Sequence, residues 1–160
     1  MSYYDRKPVT MLDGTLIFSE PQDRANEREV ADIIEAAFQC KMHPFGLLSA
    51  IDWWAERHGR MVGLLELKSR THDSQKYGTV YLNVRKWLAL SLGSIGLGVP
   101  STFVVRFTDT VKFIHLKDIE ASTVSIAGMG QKRVVSFESD VEPIIEVPIA
   151  SMKTLKGATI

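Results

Sequence analysis

A pair of strand-like runs separated by a tight turn limits the possible folds of this chain more than any other part of its sequence. The runs cover residues 47–56 and 60–69 and carry mainly apolar side chains. Between them lies the tetrapeptide RHGR (57–60), in which Gly59 can take the positive φ that a tight hairpin turn requires. We therefore predict an antiparallel β-hairpin at this point of the chain.

A helix is predicted on the N-terminal side of this hairpin, from Asp23 to about Cys40. Residues 1–22 are polar and interrupted by two prolines, so they are interpreted as an irregular arm with a short strand at 15–18. The helix rests on apolar side chains that recur at helical spacing, namely Val30, Ala31, Ile34, Ala37 and Phe38.

A polar loop and a second helix are predicted after the hairpin. The loop covers residues 70–79, and Thr79 can cap the start of the helix. The helix is predicted from Val80 to about Leu92, because three glycines come after it and Pro100 forbids its return.

A second hairpin and a tail complete the pattern. Strand-like runs at 102–107 and 111–116 form the hairpin, and a further strand at 123–126 and a loop at 128–132 are predicted after it. Residues 143–148 are expected at a sheet edge, because a central strand does not accommodate two prolines. The resulting order is α-β-β-α-β-β in one α/β domain covering residues 1–160, with helices packed on a sheet.

Three charged residues interrupt the first hairpin where a buried strand would be apolar. Glu66 and Lys68 are two residues apart, so their side chains share one face. In a hairpin turning at 58–60, facing residues have numbers that sum to 117 or 118. A sum of 118 makes Asp52 and Glu66 direct neighbours, about 5 Å apart at Cβ. A sum of 117 requires one β-bulge to bring them together.

Two neighbouring carboxylates in apolar surroundings need compensation, because they repel each other and lose hydration. Mg²⁺ is a natural partner, since it accepts carboxylate oxygens and keeps several waters. Lys68 would balance the remaining charge and orient or deprotonate a water. This set suits phosphodiester hydrolysis. The alternative is an ion cluster on the surface of an unrelated α/β domain, and the leucines that flank Glu66 count against it.

Asp52, a hairpin, and then Glu66-Leu67-Lys68 resemble the signature of the PD-(D/E)XK, or restriction-endonuclease-like, nuclease superfamily. The resemblance extends over about residues 25–118, because the order of helices and strands also matches a core with a mixed central sheet flanked by helices. The hairpin with the segment YGTVYLNVRKWLAL also looks like small phage-encoded members. One departure is that Ile51, rather than proline, precedes Asp52.

The resemblance implies a metal site and roles for named residues. Mg²⁺, with Mn²⁺ as the alternative, would be bound by Asp52, Glu66 and the carbonyl of Leu67, and Lys68 would stand at the attacking water.

Many members of the superfamily add a glutamate from the first helix. Glu27 precedes Val30 and Ala31 by three or four residues and projects from their face of the helix, so it is the first choice and Glu29 the second. The alternative role for Glu27 is compensation of the helix dipole.

The resemblance also indicates where nucleic acid would bind, because the second helix and its preceding loop lie beside the catalytic residues. Phosphates are bound by lysine, arginine and backbone N–H groups. Each candidate also fits an ordinary solvated surface, and Lys132-Arg133 lies in a further candidate loop. The predicted contacts are Arg70, Lys76, Tyr77, Arg85 and Lys86.

Composition narrows the alternatives. The 19 Lys and Arg residues balance 19 Asp and Glu residues, so the chain lacks the basic excess of most DNA-binding proteins. Cys40 is the only cysteine and cannot form an internal disulfide. Because the N-terminus lacks an apolar run of signal-peptide length and no segment suits a membrane span, the expected location is the cytoplasm, that of the host if the protein is phage-encoded.

The sequence therefore predicts a metal-dependent DNA endonuclease. A Holliday-junction or branched-DNA resolvase of the same fold is the first alternative, and a non-catalytic module that binds nucleic acid or protein is the second. A homodimer is compatible with the short chain, since 160 residues offer little beyond the core for holding a duplex.

Overall fold

The structure is a computed structural model that describes residues 9–10, 16–17, 21–46, 49–120, 124–127 and 142–155. No helix in these ranges is both long and apolar enough to cross a membrane. In the described part of the chain, short 3₁₀ turns cover Leu116–Asp118 and Ile149–Ser151. The remaining elements, in chain order, are β1 (Val9–Thr10), β2 (Leu16–Ile17), α1 (Pro21–Phe38), β3 (Lys41–Pro44), β4 (Trp53–Arg57), β5 (Arg60–Ser69), β6 (Thr79–Asn83), α2 (Val84–Leu97), β7 (Ser101–Arg106), β8 (Val111–His115), β9 (Val124–Ala127), β10 (Glu142–Pro148) and β11 (Lys153–Thr154).

A six-stranded mixed sheet forms the centre of the fold, in the order β11-β8-β7-β5-β4-β3. Strands β5 and β7 are parallel, and the other neighbours are antiparallel. The predicted mixed α/β sheet is confirmed. Strand β3 was not predicted, because Lys41–Pro44 is short and carries little apolar pattern of its own.

The first hairpin is present as strands β4 and β5. His58 and Gly59 form its turn with φ of 52° and 75°, the positive values that this type of tight turn requires. Near the turn the paired residues sum to 117, as in Glu56 opposite Met61, whereas beyond a bulge they sum to 118, as in Trp53 opposite Leu65. Strand β4 begins at Trp53, which is later than the predicted residue 47, and residues 47–48 lie outside the described part.

The second helix begins four residues later than predicted. Residues 80–83 belong to β6, where Val80 and Leu82 are buried on one face at a spacing of two. Asn83, rather than Thr79, is the N-cap, and its side chain accepts a hydrogen bond from the backbone N–H of Arg85 at 2.7 Å. The helix continues past the first two glycines and ends at Gly98, which has φ of 65°.

The segment at 143–148 forms the central strand of a second sheet, of order β6-β10-β9, so the predicted edge position is wrong. The prolines explain how this is possible. Pro143 is paired only with β9 and Pro148 only with β6, so each lies where one neighbour is missing. The strand predicted at 123–126 corresponds to β9, and the predicted loop at 128–132 lies outside the described residues.

The two helices lie on opposite faces of the large sheet. On one face, α1 packs its buried Val30 and Ile34 into a cluster with Trp53, Leu65 and Leu67. On the other, α2 and the second sheet pack over a cluster that contains Leu64, Leu82, Leu90, Phe103 and Val105.

The alternation of side chains along β5 therefore places Glu66 and Lys68 on the α2 face. Phe38, predicted on the core face of α1, is 43% exposed at the end of that helix and makes an edge contact with Phe113. The apolar face of α1 therefore ends before its last turn.

We expect alanine to have different effects at the two internal glycines of α2. A Cβ at Gly93 would lie 2.8 Å from Cδ1 of the buried Leu64, whereas Gly96 has open space. Gly96→Ala should stabilise the protein by up to about 1 kcal/mol through helix propensity. Gly93→Ala should be less stable than Gly96→Ala by about 1–3 kcal/mol, because the core is overpacked. Urea denaturation measures both, and equal stabilities would contradict the close approach of α2 to β5.

Candidate active site

Asp52 and Glu66 meet where β4 begins. The register beyond the bulge pairs Trp53 with Leu65, and one further step places Asp52 opposite Glu66. The Nζ atom of Lys86, from the first turn of α2, contacts Oδ1 of Asp52 and lies 3.2 Å from Oε2 of Glu66. The structure therefore brings together the two carboxylates that the hairpin numbering predicted as neighbours, and adds a lysine between them.

This cluster is poorly accessible to solvent. The side chains of Glu66, Lys86 and Asp52 are 12, 19 and 28% exposed, respectively. Oε2 of Glu66 is buried without a hydrogen bond, since the Lys86 ammonium is close enough for an ion pair but poorly aligned as a donor. Its charge is therefore only partly compensated.

Burial and the adjacent Asp52 carboxylate raise the pKa of Glu66 well above its ordinary value, and Lys86 offsets only part of this effect. Burial by itself would lower the pKa of Lys86, but Glu66 and Asp52 outweigh it and raise that pKa. The ammonium therefore stays charged between the two carboxyl groups.

Lys68 lies on the same face of β5 as Glu66 and is held by the second sheet. Its Nζ donates a hydrogen bond to the backbone carbonyl of Tyr81 at 2.9 Å. This contact directs the Lys68 head group toward β6. The spacing of two therefore places the lysine beside Glu66 along the strand, as predicted.

The backbone of β5 presents a carbonyl group near the carboxylates. The backbone N–H groups of Leu64 and Arg70 donate to the carbonyls of Pro100 and Arg106, so the backbone polar groups of these two residues point toward β7. Alternation then directs the backbone groups of Leu67 toward the β4 side, and pairing with β4 ends at Leu65. The Leu67 carbonyl thus points to the part of this edge that is not paired with β4, and with the two carboxylates it offers three oxygen atoms of the kind that Mg²⁺ prefers.

The two candidate glutamates of α1 have different environments. Among the residues whose side chains the structure describes, no third Asp, Glu, His or Cys completes a metal-holding group. Glu29 instead pairs with Arg106 at 3.0 Å. Glu27 is half-buried on α1, and its role stays a prediction.

The predicted DNA contacts have different environments. Arg85 is exposed at the start of α2, and Lys76 places its ammonium 5.3 Å from the centre of the exposed Tyr77 ring. Arg70 is half-buried and its side chain donates to the carbonyl of Ser69 at 3.4 Å. These contacts stay predictions, and Lys132-Arg133 lies outside the described residues.

Lys86, also predicted as a DNA contact, instead directs its head group inward to the carboxylates of Asp52 and Glu66. The sequence does not reveal this position, because residues 80–83 have a pattern compatible with a helix and the true start of α2 depends on the pairing of β6.

The loop before β6 is anchored to the second hairpin. The backbone N–H and the hydroxyl of buried Ser74 donate to the two carboxylate oxygens of Asp109, each at 2.7 Å. These bonds, the Ser74 hydroxyl foremost, lower the pKa of Asp109. The anchor gives the loop a defined path between Lys68 on β5 and Tyr81 on β6.

Comparison with known proteins gives a family and a fold. The family model described as "Phage putative PDDEXK endonuclease" matches residues 18–155. The chain is also similar to the structure of Hjc, a Holliday junction resolvase from Archaeoglobus fulgidus, with a TM-score of 0.52 and 11% identity over 79% of this chain and 86% of that one. No curated protein sequence gave a match.

Replacing Glu66 by Gln should stabilise the metal-free protein at neutral pH. Because the pKa of Glu66 is raised in the folded protein, the unfolded protein releases this proton at a lower pH than the folded protein does. The stability contributed by Glu66 is therefore complete below its ordinary pKa of 4.5 and is lost as the pH rises through its folded-state pKa. In EDTA we expect Glu66→Gln to gain about 1–3 kcal/mol at pH 8 and little at pH 4, by urea denaturation.

Glu56→Gln in the same hairpin is the contrast. Hydrogen bonds from Gly59 and His43 lower the pKa of Glu56, so that variant should lose stability at pH 8. A Glu66→Gln variant less stable than the parent at pH 8 would show that the buried carboxylate is well compensated.

Proposed function

Because this chain belongs to the family of phage PDDEXK endonucleases, we propose that it hydrolyses DNA phosphodiester bonds with a divalent metal held by Asp52 and Glu66. The observation that carries the proposal is the meeting of these two carboxylates, largely buried, where β4 begins and its pairing with β5 ends. A buried carboxylate oxygen without a hydrogen bond, Oε2 of Glu66, is a position that a cation would satisfy.

The donors fit Mg²⁺, with Mn²⁺ as the alternative. Two carboxylates and the Leu67 carbonyl leave further positions for water and a phosphate oxygen, as Mg²⁺ requires. When bound, the metal would polarise the phosphoryl group and lower the pKa of a coordinated water. The arrangement of the strands holds the carboxylates at this position before any substrate arrives.

Lys68 is proposed to orient the attacking water and to hold positive charge near the phosphate. Its bond to the Tyr81 carbonyl keeps the ammonium on the face that carries Glu66. Glu27 is retained as a supporting acid from α1, although this position is not joined to the carboxylate pair among the described residues.

DNA is proposed to lie along the loop before β6 and the start of α2, against Arg70, Lys76, Tyr77 and Arg85. Exposed Lys76 and Arg85 suit phosphates, and the exposed Tyr77 ring suits a base or sugar. One domain spanning residues 1–160 and action in the host cytoplasm complete the proposal.

Cleavage assays test the function. Purified protein should cut DNA with Mg²⁺ or Mn²⁺ and not with EDTA, on a panel of supercoiled, linear, single-stranded and four-way-junction substrates. Asp52→Asn and Lys68→Met should each reduce the rate at least about a hundredfold, while Lys153→Met, an exposed lysine on β11, should cut normally.

Full activity of Lys68→Met would overturn the role given to Lys68. Cutting confined to the four-way junction would select the resolvase, and binding without cutting on the whole panel would select the non-catalytic module.

We further propose that the protein is a homodimer that buries an apolar stripe of α2. Leu88, Leu92 and Ile95 are 47, 68 and 81% exposed and lie on one side of the helix. Residues 87–101 contain no charged side chain. A second copy of this uncharged surface matches its chemistry better than a charged partner does.

Sedimentation velocity tests the dimer. Ile95→Glu should shift the protein to monomer, because a charge would be buried at the interface. Leu97→Glu is the matched control, since Leu97 is also exposed on α2 but lies on the opposite side of the helix from the stripe. A monomeric wild-type protein at tens of micromolar would overturn this proposal.

A further inference from the structure

Lys86 occupies the place between the two carboxylates. Its ammonium contacts Oδ1 of Asp52 and Oε2 of Glu66, and its side chain is only 19% exposed. The lysine is carried on the first turn of α2, whose start is fixed by the Asn83 cap and by the pairing of β6 with β10. The position of this head group is therefore set by elements outside the hairpin.

The oxygens that Lys86 contacts are the ones a metal ion would need. Oε2 of Glu66 is buried and receives no hydrogen bond, so the ammonium and a divalent ion compete for the same atom. Two cations at ion-pair distance from the same carboxylates lie close enough to repel each other strongly. Both cations therefore cannot remain against this pair.

We propose that Lys86 is a built-in substitute for the metal: its ammonium pairs with Asp52 and Glu66 in the metal-free protein, and must leave them when a divalent ion binds. This inference rests on the proposed function, and it adds a positioning residue outside the Asp52, Glu66 and Lys68 set. Without the ammonium, the carboxylates would repel each other across neighbouring strands. With it, the hairpin keeps them together, so the binding site is formed in advance.

The long side chain explains how the exchange can occur without moving the fold. The Lys86 stem has four rotatable methylenes, so its head group can withdraw while α2 stays packed through Leu90. The start of α2 also carries Arg85, so a withdrawn Lys86 adds positive charge beside the proposed path of the DNA. Metal binding would thus break the ion pairs of Lys86 with the carboxylates and leave its ammonium available to a DNA phosphate.

Calorimetric titration of MnCl₂ and MgCl₂ into metal-free protein, without DNA, tests this inference. Lys86→Met keeps the length of the side chain and removes its charge, so it should bind both ions at least about tenfold more tightly than wild type. Lys86→Arg keeps the charge and should bind no more tightly than wild type. Lys153→Met, with the same loss of charge at an exposed site, should match wild type.

Circular dichroism melts establish that each variant is folded, and Lys86→Gln serves if the methionine variant is not. Equal or weaker metal binding by folded Lys86→Met or Lys86→Gln overturns the inference, as does the absence of metal binding from the wild-type protein and from both variants. Tighter binding supports it even if no DNA is cut, and cutting without tighter binding leaves the proposed function standing while this inference fails.

Discussion

Strand β5 organises both the core and the candidate site, because it is paired on both edges. It joins β4 by an antiparallel ladder and β7 by a parallel one. One set of its side chains packs under α1 and the alternate set faces α2. Since pairing with β4 ends at Leu65, the second half of β5 is paired with β7 alone among the described strands. The candidate site lies at the point where β5 loses its pairing with β4.

The site carries a physical cost that the core around it must offset. Glu66 is held among buried apolar residues and beside a second carboxylate, and both conditions disfavour its charged form. An apolar residue at this position would pack without that penalty. The proposed cation site would account for a carboxylate in such surroundings, and the Leu67 carbonyl would add a backbone oxygen to it.

The second sheet has a function beyond covering the core. Its strand β6 supplies the Tyr81 carbonyl that holds Lys68 and leads directly into the turn of α2 that carries Lys86. The anchor between Ser74 and Asp109 fixes the loop that precedes this strand. Both lysines near the carboxylates are therefore positioned by one short strand, whose partner β10 lies more than 60 residues further along the chain.

Local sequence was enough to predict the hairpin, its turn at Gly59 and the meeting of Asp52 with Glu66, because these depend on residues within about fifteen positions of one another. The register in which facing residues sum to 117 requires a β-bulge to bring Asp52 opposite Glu66, and the structure has that bulge between Ala55 and Glu56. The same local logic placed Lys68 beside Glu66, since alternation on a strand is independent of the rest of the fold.

By contrast, the strand at Val80 and Leu82, the central position of β10 and the inward turn of Lys86 all depend on long-range contacts. The spacing of apolar residues at 80–92 is compatible with a helix, and the pairing of Val80 with Val147 is what selects a strand. Contacts between distant segments set the start of α2 and hence the position of Lys86, whereas a local pattern records only which residues can share a face.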